Sequence, residues 1–193
     1  MVNPFELLKT WLQEERNSGA PNPQQAVLAT AAQQTAPHAR VVAIREITEN
    51  GLLFFTQRGT RKVQELQDNP RATMVFWLEL QQREVIVEGS VVSLAAEEND
   101  HYWQSYPREA QIRFYSYAPT STQPLASAEE LENKKRQIER EYENKLLPVS
   151  PFYCGYRLQP ARMMFYAYRT DKLSDVFEYC WQDGGWAKQI LSP

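Results

Sequence analysis

Few side chains in this sequence can attack a substrate, ligate a metal or move a proton near neutral pH. There are two cysteines, Cys154 and Cys180, and two histidines, His38 and His101. The cysteines lie far apart and neither has a CxxC partner, so neither a disulfide framework nor a zinc site is expected. Two histidines cannot build a multi-His centre, and no metal is expected. The four read as two buried thiols and two surface imidazoles. No GxGxxG or GxxxxGK[ST] run is present to seat a nucleotide, and no GxSxG, HExxH or Ser/His/Asp set stands out. The pairs Glu97-Glu98 and Glu129-Glu130 fall in expected first helical turns, where negative charge offsets the helix dipole. Chemistry here points to a bound organic cofactor.

Basic residues near strand ends carry the more specific signal. Arg40 opens an apolar strand, Arg45 closes it, and Arg61-Lys62 fall in the first turn of a short helix after Thr56. A hairpin over Arg40–Gln57 brings these segments toward each other. Fixed cations beside the N–H groups of a helix start form a cradle for a phosphate. Spacing alone also allows four separate surface charges.

The elements that would position these residues are mostly strands. Asn3-Pro4 starts a helix, with Phe5, Leu8, Trp11 and Leu12 at helical spacing, and Gly19 and Pro21-Asn22-Pro23 end it. Strands are expected at Gln25–Ala31, Arg40–Ile47 and Leu52–Gln57, with a hairpin turn at Glu49-Asn50-Gly51. A short helix capped by Thr60 turns Val63 and Leu66 inward and stops at Asn69-Pro70. Strands Ala72–Leu80 and Arg83–Leu94 follow, then helical stretches at His101–Tyr106 and Arg108–Tyr117 split by Pro107, then a loop at Ala118–Leu125. A capping box at Ser127 and Glu130 opens a charged helix to about Lys145, with Leu131, Ile138 and Tyr142 inward. Its charges read as a solvated face. Strands Tyr153–Leu158, Met163–Tyr168, Val176–Gln182 and Trp186–Leu191 complete the chain. Hairpin-length connections between them predict a mainly β, α+β fold, an antiparallel barrel with peripheral helices, in one domain over residues 1–193.

Composition narrows the class. With 42% hydrophobic residues in 193, the chain can bury a core, which excludes a disordered or collagen-like polymer. No window approaches the roughly 20 apolar residues of a membrane span, and Met1–Arg16 lacks the order of a signal peptide. A net charge of -3 and a pI of about 5.5 argue against general nucleic-acid binding. A soluble, cytoplasmic protein is expected.

In order along the chain, Arg40-Val-Val-Ala-Ile-Arg45, Gly51-Leu-Leu-Phe-Phe-Thr56, Gly59-Thr-Arg-Lys62 and Asn69-Pro-Arg71 resemble the FMN-binding segments of the pyridoxamine 5'-phosphate oxidase family. The likeness runs from Asn3-Pro4-Phe5 through Arg83–Gly89, Tyr102 and Pro107-Arg108 to Trp186 and Leu191-Ser-Pro193, and so spans nearly the whole sequence. It implies a split β-barrel, a homodimer with FMN at its interface, and oxidation of a small-molecule substrate with O₂. In the family that substrate is the phosphorylated amine or alcohol of vitamin B6. By resemblance, Arg40, Arg61 and Lys62 hold the flavin phosphate and ribityl chain, and Phe55 and Thr56 line the ribityl and ring side. Val41, Val42, Arg45, Glu84, Thr120 and Tyr166 complete the cofactor set, while Tyr102, Lys172 and Ser174 face the substrate.

The departures from the family cluster. Arg45 stands for a Lys, Glu84 for a Gln at the flavin, Pro119-Thr120 for a Gln-Ser pair and Tyr166 for a Trp. The family's phosphate-binding Arg and Ser fall on Tyr106 and Ala110, and its R-x-H-D-R signature reads Lys172-Leu-Ser174-Asp-Val176. Each lost charge-assisted bond is worth about 1.5–3 kcal/mol. The flavin-phosphate half is kept and the B6 half is eroded, with Tyr106 and Tyr115 offering aromatic surface to a flat, uncharged substrate. Phenazine-pathway oxidases are relatives that use the same barrel for other aromatic substrates. The readings carried forward are an FMN-dependent oxidase, a flavin carrier or sensor without turnover, and a binding member that has lost FMN.

Overall fold

The structure is a computed structural model and describes residues 3–193. Helix α1 (Pro4–Asn17) begins as its sequence dictates: the Asn3 side chain accepts from the Phe5 N–H at 2.9 Å and Pro4 takes the first turn. It is followed by β1 (Gln25–Thr30), β2 (His38–Thr48), β3 (Gly51–Gln57), α2 (Arg61–Asp68), β4 (Arg71–Leu78) and β5 (Arg83–Ser93). Then come α3 (Ala96–Gln104), α4 (Arg108–Tyr117), α5 (Ala128–Glu141), β6 (Tyr153–Ala167), β7 (Asp175–Gln182) and β8 (Gly185–Leu191).

The strands run β3-β2-β1-β4-β5-β6-β7-β8, and β3 also pairs with β6, so β1 to β6 close into an antiparallel barrel. Strands β7 and β8 extend from β6. This is the expected mainly β barrel with peripheral helices. Alternate residues Leu28, Val42, Ile44, Phe54, Met74, Phe76, Val85, Val87, Met163 and Phe165 are buried in one core, as the two-residue period of a strand requires. Helix α1 joins that core, and its Trp11 ring meets Phe165 edge-on at 5.2 Å. A second cluster, built on Trp103, Ile112, Phe114, Ile138, Leu147 and Tyr153, packs α3, α4 and α5 together, with Phe55 of β3 against it.

Three local expectations are corrected. Tyr153–Leu158 and Met163–Tyr168, read as two strands, are parts of the single strand β6. Pro160 is accommodated because it pairs with Gly89, where the register shifts between Glu88 and Gly89; a bulge needs no N–H from proline. Helix α3 starts at Ala96, ahead of His101. Ser127 and Thr60 occupy N-cap positions, yet neither side chain makes a cap hydrogen bond. The Thr60 hydroxyl donates instead to the Gln57 carbonyl at 2.8 Å.

Candidate functional site

A cavity of about 250 Å³ opens where the ends of β2 and β3 meet α2 and the end of α4. Arg40, Val41, Val42, Ala43, Phe55 and Thr56 line it, together with Gln57, Lys62, Tyr117 and Ser121. Six residues expected at the cofactor are thus brought together: Arg40, Val41, Val42, Phe55, Thr56 and Lys62. The β2–β3 hairpin supplies the first five, and the turn into α2 returns Lys62 to its own strand end, where Nζ donates to Thr56 Oγ1 at 3.1 Å. Burial, then the neighbouring Arg40 charge, pushes the Lys62 ammonium below the usual lysine range.

Arg40 is already engaged from the barrel side. Its guanidinium donates to Thr30 Oγ1 at 2.5 Å and the Leu28 carbonyl at 3.3 Å, and lies 3.5 Å from Glu65 Oε2. Thr30 in turn donates to Glu65 Oε2 at 2.5 Å, and His38 Nδ1 sits 2.6 Å from Oε1. Burial pushes the Glu65 carboxyl up. The hydrogen bonds of Thr30 and His38 and the charges of His38 and Arg40 outweigh it, holding Glu65 below the usual carboxylate range. His38, its side chain 37% exposed, is thus a surface imidazole that also partners a buried carboxylate.

The other expected residues stand apart from this cavity. Arg61 is exposed and Thr120 sits in the turn after α4, its hydroxyl donating to the Tyr117 carbonyl at 3.0 Å; neither lines the cavity. Arg45 points the other way along β2, donating to Ser105 Oγ at 3.2 Å with its guanidinium 5.7 Å from the Tyr106 ring. The four-cation cluster read from the hairpin is thus two cations, Arg40 and Lys62. Beside Arg45, the Tyr102 hydroxyl donates to Glu46, and that hydrogen bond first, then burial, raises its pKa. Phe55 links the two groups, 5.3 Å from Tyr102 and stacked on Tyr153 at 4.8 Å. Tyr106 is packed between Phe55, Trp103 and Tyr153 at 6.0, 6.4 and 5.6 Å.

A third group lies at the far end of β6. Glu84 pairs with Tyr166, which pairs with Val176, and Tyr168 donates to Glu84 Oε2 at 3.4 Å. In the β6–β7 connection, Lys172 is exposed, with Nζ 3.9 Å from Asp175, and Ser174 Oγ accepts from the Arg169 N–H at 3.2 Å. Phe55 pairs with Gly155 near the start of β6. At about 3.3 Å per residue, Tyr166 lies roughly 36 Å further along the strand.

Sequence reasoning missed Gln57, Glu65, Thr30, Tyr117 and Ser121. Gln57 shares the strand parity of Leu53 and Phe55, but nothing in the sequence marks it as a position 3% exposed. Among the described residues no group of three or more His, Cys, Asp or Glu side chains could hold a metal ion. Nor is any helix among them long and apolar enough to cross a membrane.

Comparison with known proteins agrees along the whole length. Residues 12–141 match the family model described as pyridoxamine 5'-phosphate oxidase, and residues 153–193 match the pyridoxine 5'-phosphate oxidase C-terminal dimerisation region. The pyridoxine/pyridoxamine 5'-phosphate oxidase of Rubrobacter xylanophilus is 35% identical over 99% of this chain and 87% of its own. The enzyme of the same name from Paraburkholderia phytofirmans is 37% identical over 99% and 89%. Among solved structures, PhzG from Burkholderia lata in complex with tetrahydrophenazine-1-carboxylic acid superposes with a TM-score of 0.88 at 27% identity, covering 99% of this chain and 93% of that one. A pyridoxamine 5'-phosphate oxidase-related, FMN-binding protein from Nostoc punctiforme shares the fold, with a TM-score of 0.79 at 16% identity over the full length of both. A barrel closed by β6, cations gathered at the end of one hairpin and matches that run from α1 to the last strand have one reading: the chain belongs to the pyridoxamine 5'-phosphate oxidase family.

Proposed function

We propose that this protein is an FMN-dependent oxidase whose substrate is a small planar reductant carrying at most one negative charge, with pyridoxamine and pyridoxine phosphates as poor substrates. The chemistry a bound FMN supplies is a two-electron oxidation with O₂ as final acceptor.

The cavity fits one end of that cofactor. At about 250 Å³ it is smaller than the usual range for a whole drug-sized ligand, roughly 300–1,000 Å³. It suits a phosphorylated tail, and Arg40 and Lys62 supply the charges a phosphate requires. Phe55 extends an aromatic wall from the cavity toward Tyr102 and Tyr106. Arg40, tied to Thr30 and Glu65, is pre-positioned, so a phosphate meets a guanidinium that needs little ordering. Glu84, Tyr166, Lys172 and Ser174 would complete the site from the partner protomer of a homodimer, with the flavin at the interface. Their place at the other end of β6 supports such sharing.

The observation that carries the substrate assignment is Tyr106. A phosphate-binding arginine stands there in the family, and here an aromatic ring is locked among Phe55, Trp103 and Tyr153. Two cations face this region: Arg45, spread over Tyr106 and Ser105, and Arg157, which lies beside the Tyr102 hydroxyl and 3.8 Å from Glu98. The Tyr102 hydroxyl is turned to Glu46, whose carboxylate repels a dianion. PhzG is bound to tetrahydrophenazine-1-carboxylic acid, by its name a reduced aromatic with one carboxylate and no phosphate.

Turnover of pyridoxamine phosphate by the FMN-loaded protein tests this. We expect a kcat/KM at least ~100-fold below that of the similar oxidases, since two missing charge-assisted contacts suffice. Reduced aromatic monocarboxylates should perturb the flavin absorbance and reduce it. Normal turnover of the phosphorylated substrate would overturn the assignment.

A further inference from the structure

Gln57 is a polar side chain of the cavity that the arrangement above does not use. It lines the cavity with Arg40, Thr56 and Lys62, and it is 3% exposed. Its backbone carbonyl is engaged, accepting from the Thr60 hydroxyl at 2.8 Å, and its register on β3 is opposite Tyr153 of β6. Its carboxamide is not, because both Oε1 and Nε2 are buried without a hydrogen-bond partner. Buried amides left unpaired are rare and costly, whereas an apolar side chain of the same size at that position would cost nothing of the kind.

The pattern of unmet bonds identifies the ligand group. A dianionic phosphate only accepts, so it could satisfy Nε2 and would leave Oε1 unpaired. The Arg40 and Lys62 charges at the same cavity already suit a phosphate. A hydroxyl both donates and accepts, so one or two hydroxyls on a chain passing Gln57 would satisfy both ends of the amide. Building on the cofactor reading above, we propose that the Gln57 carboxamide hydrogen-bonds the hydroxylated chain between the flavin ring and its phosphate. It thereby selects a polyol-linked cofactor over one joined by a plain alkyl chain.

The test is fluorescence titration of flavin-free protein with FMN and with a flavin whose linker is an unsubstituted pentyl chain ending in phosphate, for wild type and Gln57→Leu. Wild type should bind FMN the more tightly. The variant should lose about tenfold in FMN affinity and little for the pentyl analogue. The melting temperature of the flavin-free variant should stay level or rise, because an unpaired buried amide has been removed. Should the Leu variant fail to fold, Gln57→Met carries the same comparison. Equal losses for both flavins, no loss for FMN, or wild type that binds both flavins alike would each overturn the role of Gln57 while leaving the cofactor reading intact. Wild type that binds neither flavin would overturn the cofactor reading, and this inference with it.

Discussion

Arg40 and Lys62 face one cavity with different freedom. Arg40 is held by Thr30 and Glu65, whereas the hydrogen-bond partner of Lys62 is the Thr56 hydroxyl. An arriving phosphate therefore gains most from Lys62, whose ammonium is depressed by burial and by Arg40. Lys62→Ala should weaken FMN binding about 10- to 100-fold in a flavin titration, the worth of one charge-assisted bond of about 1.5–3 kcal/mol. Arg61→Ala, on an exposed side chain outside the cavity, should change it far less. FMN affinity should also decline as pH rises toward, but short of, the ordinary lysine value of 10.5, as the uncharged amine takes over. For Glu65 the sign is opposite. Its folded pKa lies below its ordinary 4.5, so its contribution to stability is complete above that pH and is lost as acid takes the pH down through the folded value. Glu65→Gln should flatten the acid limb of a melting-temperature profile and lower stability at neutral pH by roughly 1–3 kcal/mol. Arg40 and Lys62 were legible in the sequence because a hairpin and one tight turn join them. Glu65 and Gln57 were not, because a polar residue becomes informative only once its burial is known.

At the scale of elements, most strands and turns follow from local chemistry. Asn3-Pro4 caps a helix, Glu49-Asn50 turns a hairpin into Gly51, and Asp183-Gly184 turns the last one. The errors arise where a distant strand decides. Residues 159–162 are expected to separate two strands, and Pro160 among them removes a ladder donor, yet β6 runs through it. The compensating residue is Gly89 on β5, where an added Cβ would stand 2.0 Å from the Gln159 carbonyl oxygen. That close approach lets β6 stay continuous from the β3 seam to the pairing with β7. Gly89→Ala should therefore cost roughly 2–4 kcal/mol in denaturant unfolding, as forced backbone displacements in a closed sheet do. Ser127 and Thr60 went the other way. Both stand at the expected cap positions, but neither hydroxyl makes the cap bond, since a side-chain rotamer is a weaker signal than a backbone boundary.

At the scale of the molecule, the continuity of β6 keeps the residues by Phe55 and those by Glu84 and Tyr166 at opposite ends of one strand. No reading of motifs shows this, because the separation is set by the length of β6, which was read as two strands. If the flavin site draws its phosphate cradle from one protomer and Glu84, Tyr166 and the 172–174 segment from the other, a two-fold dimer holds two such composite sites. The prediction is one of complementation. Arg40→Ala/Lys62→Ala removes the cradle, and a second variant, Glu84→Ala/Tyr166→Ala, removes the other half; each alone should retain little flavin. Unfolding and refolding the two together at equal amounts makes about half the dimers mixed by random pairing. In a mixed dimer the intact cradle of one protomer faces the intact far group of the other, and both lesions fall together in the second site. Flavin binding should then recover to roughly a quarter of the wild-type sites, read as bound-flavin absorbance per dimer. Sites contained within single chains would recover nothing, since every chain in the mixture still carries a lesion.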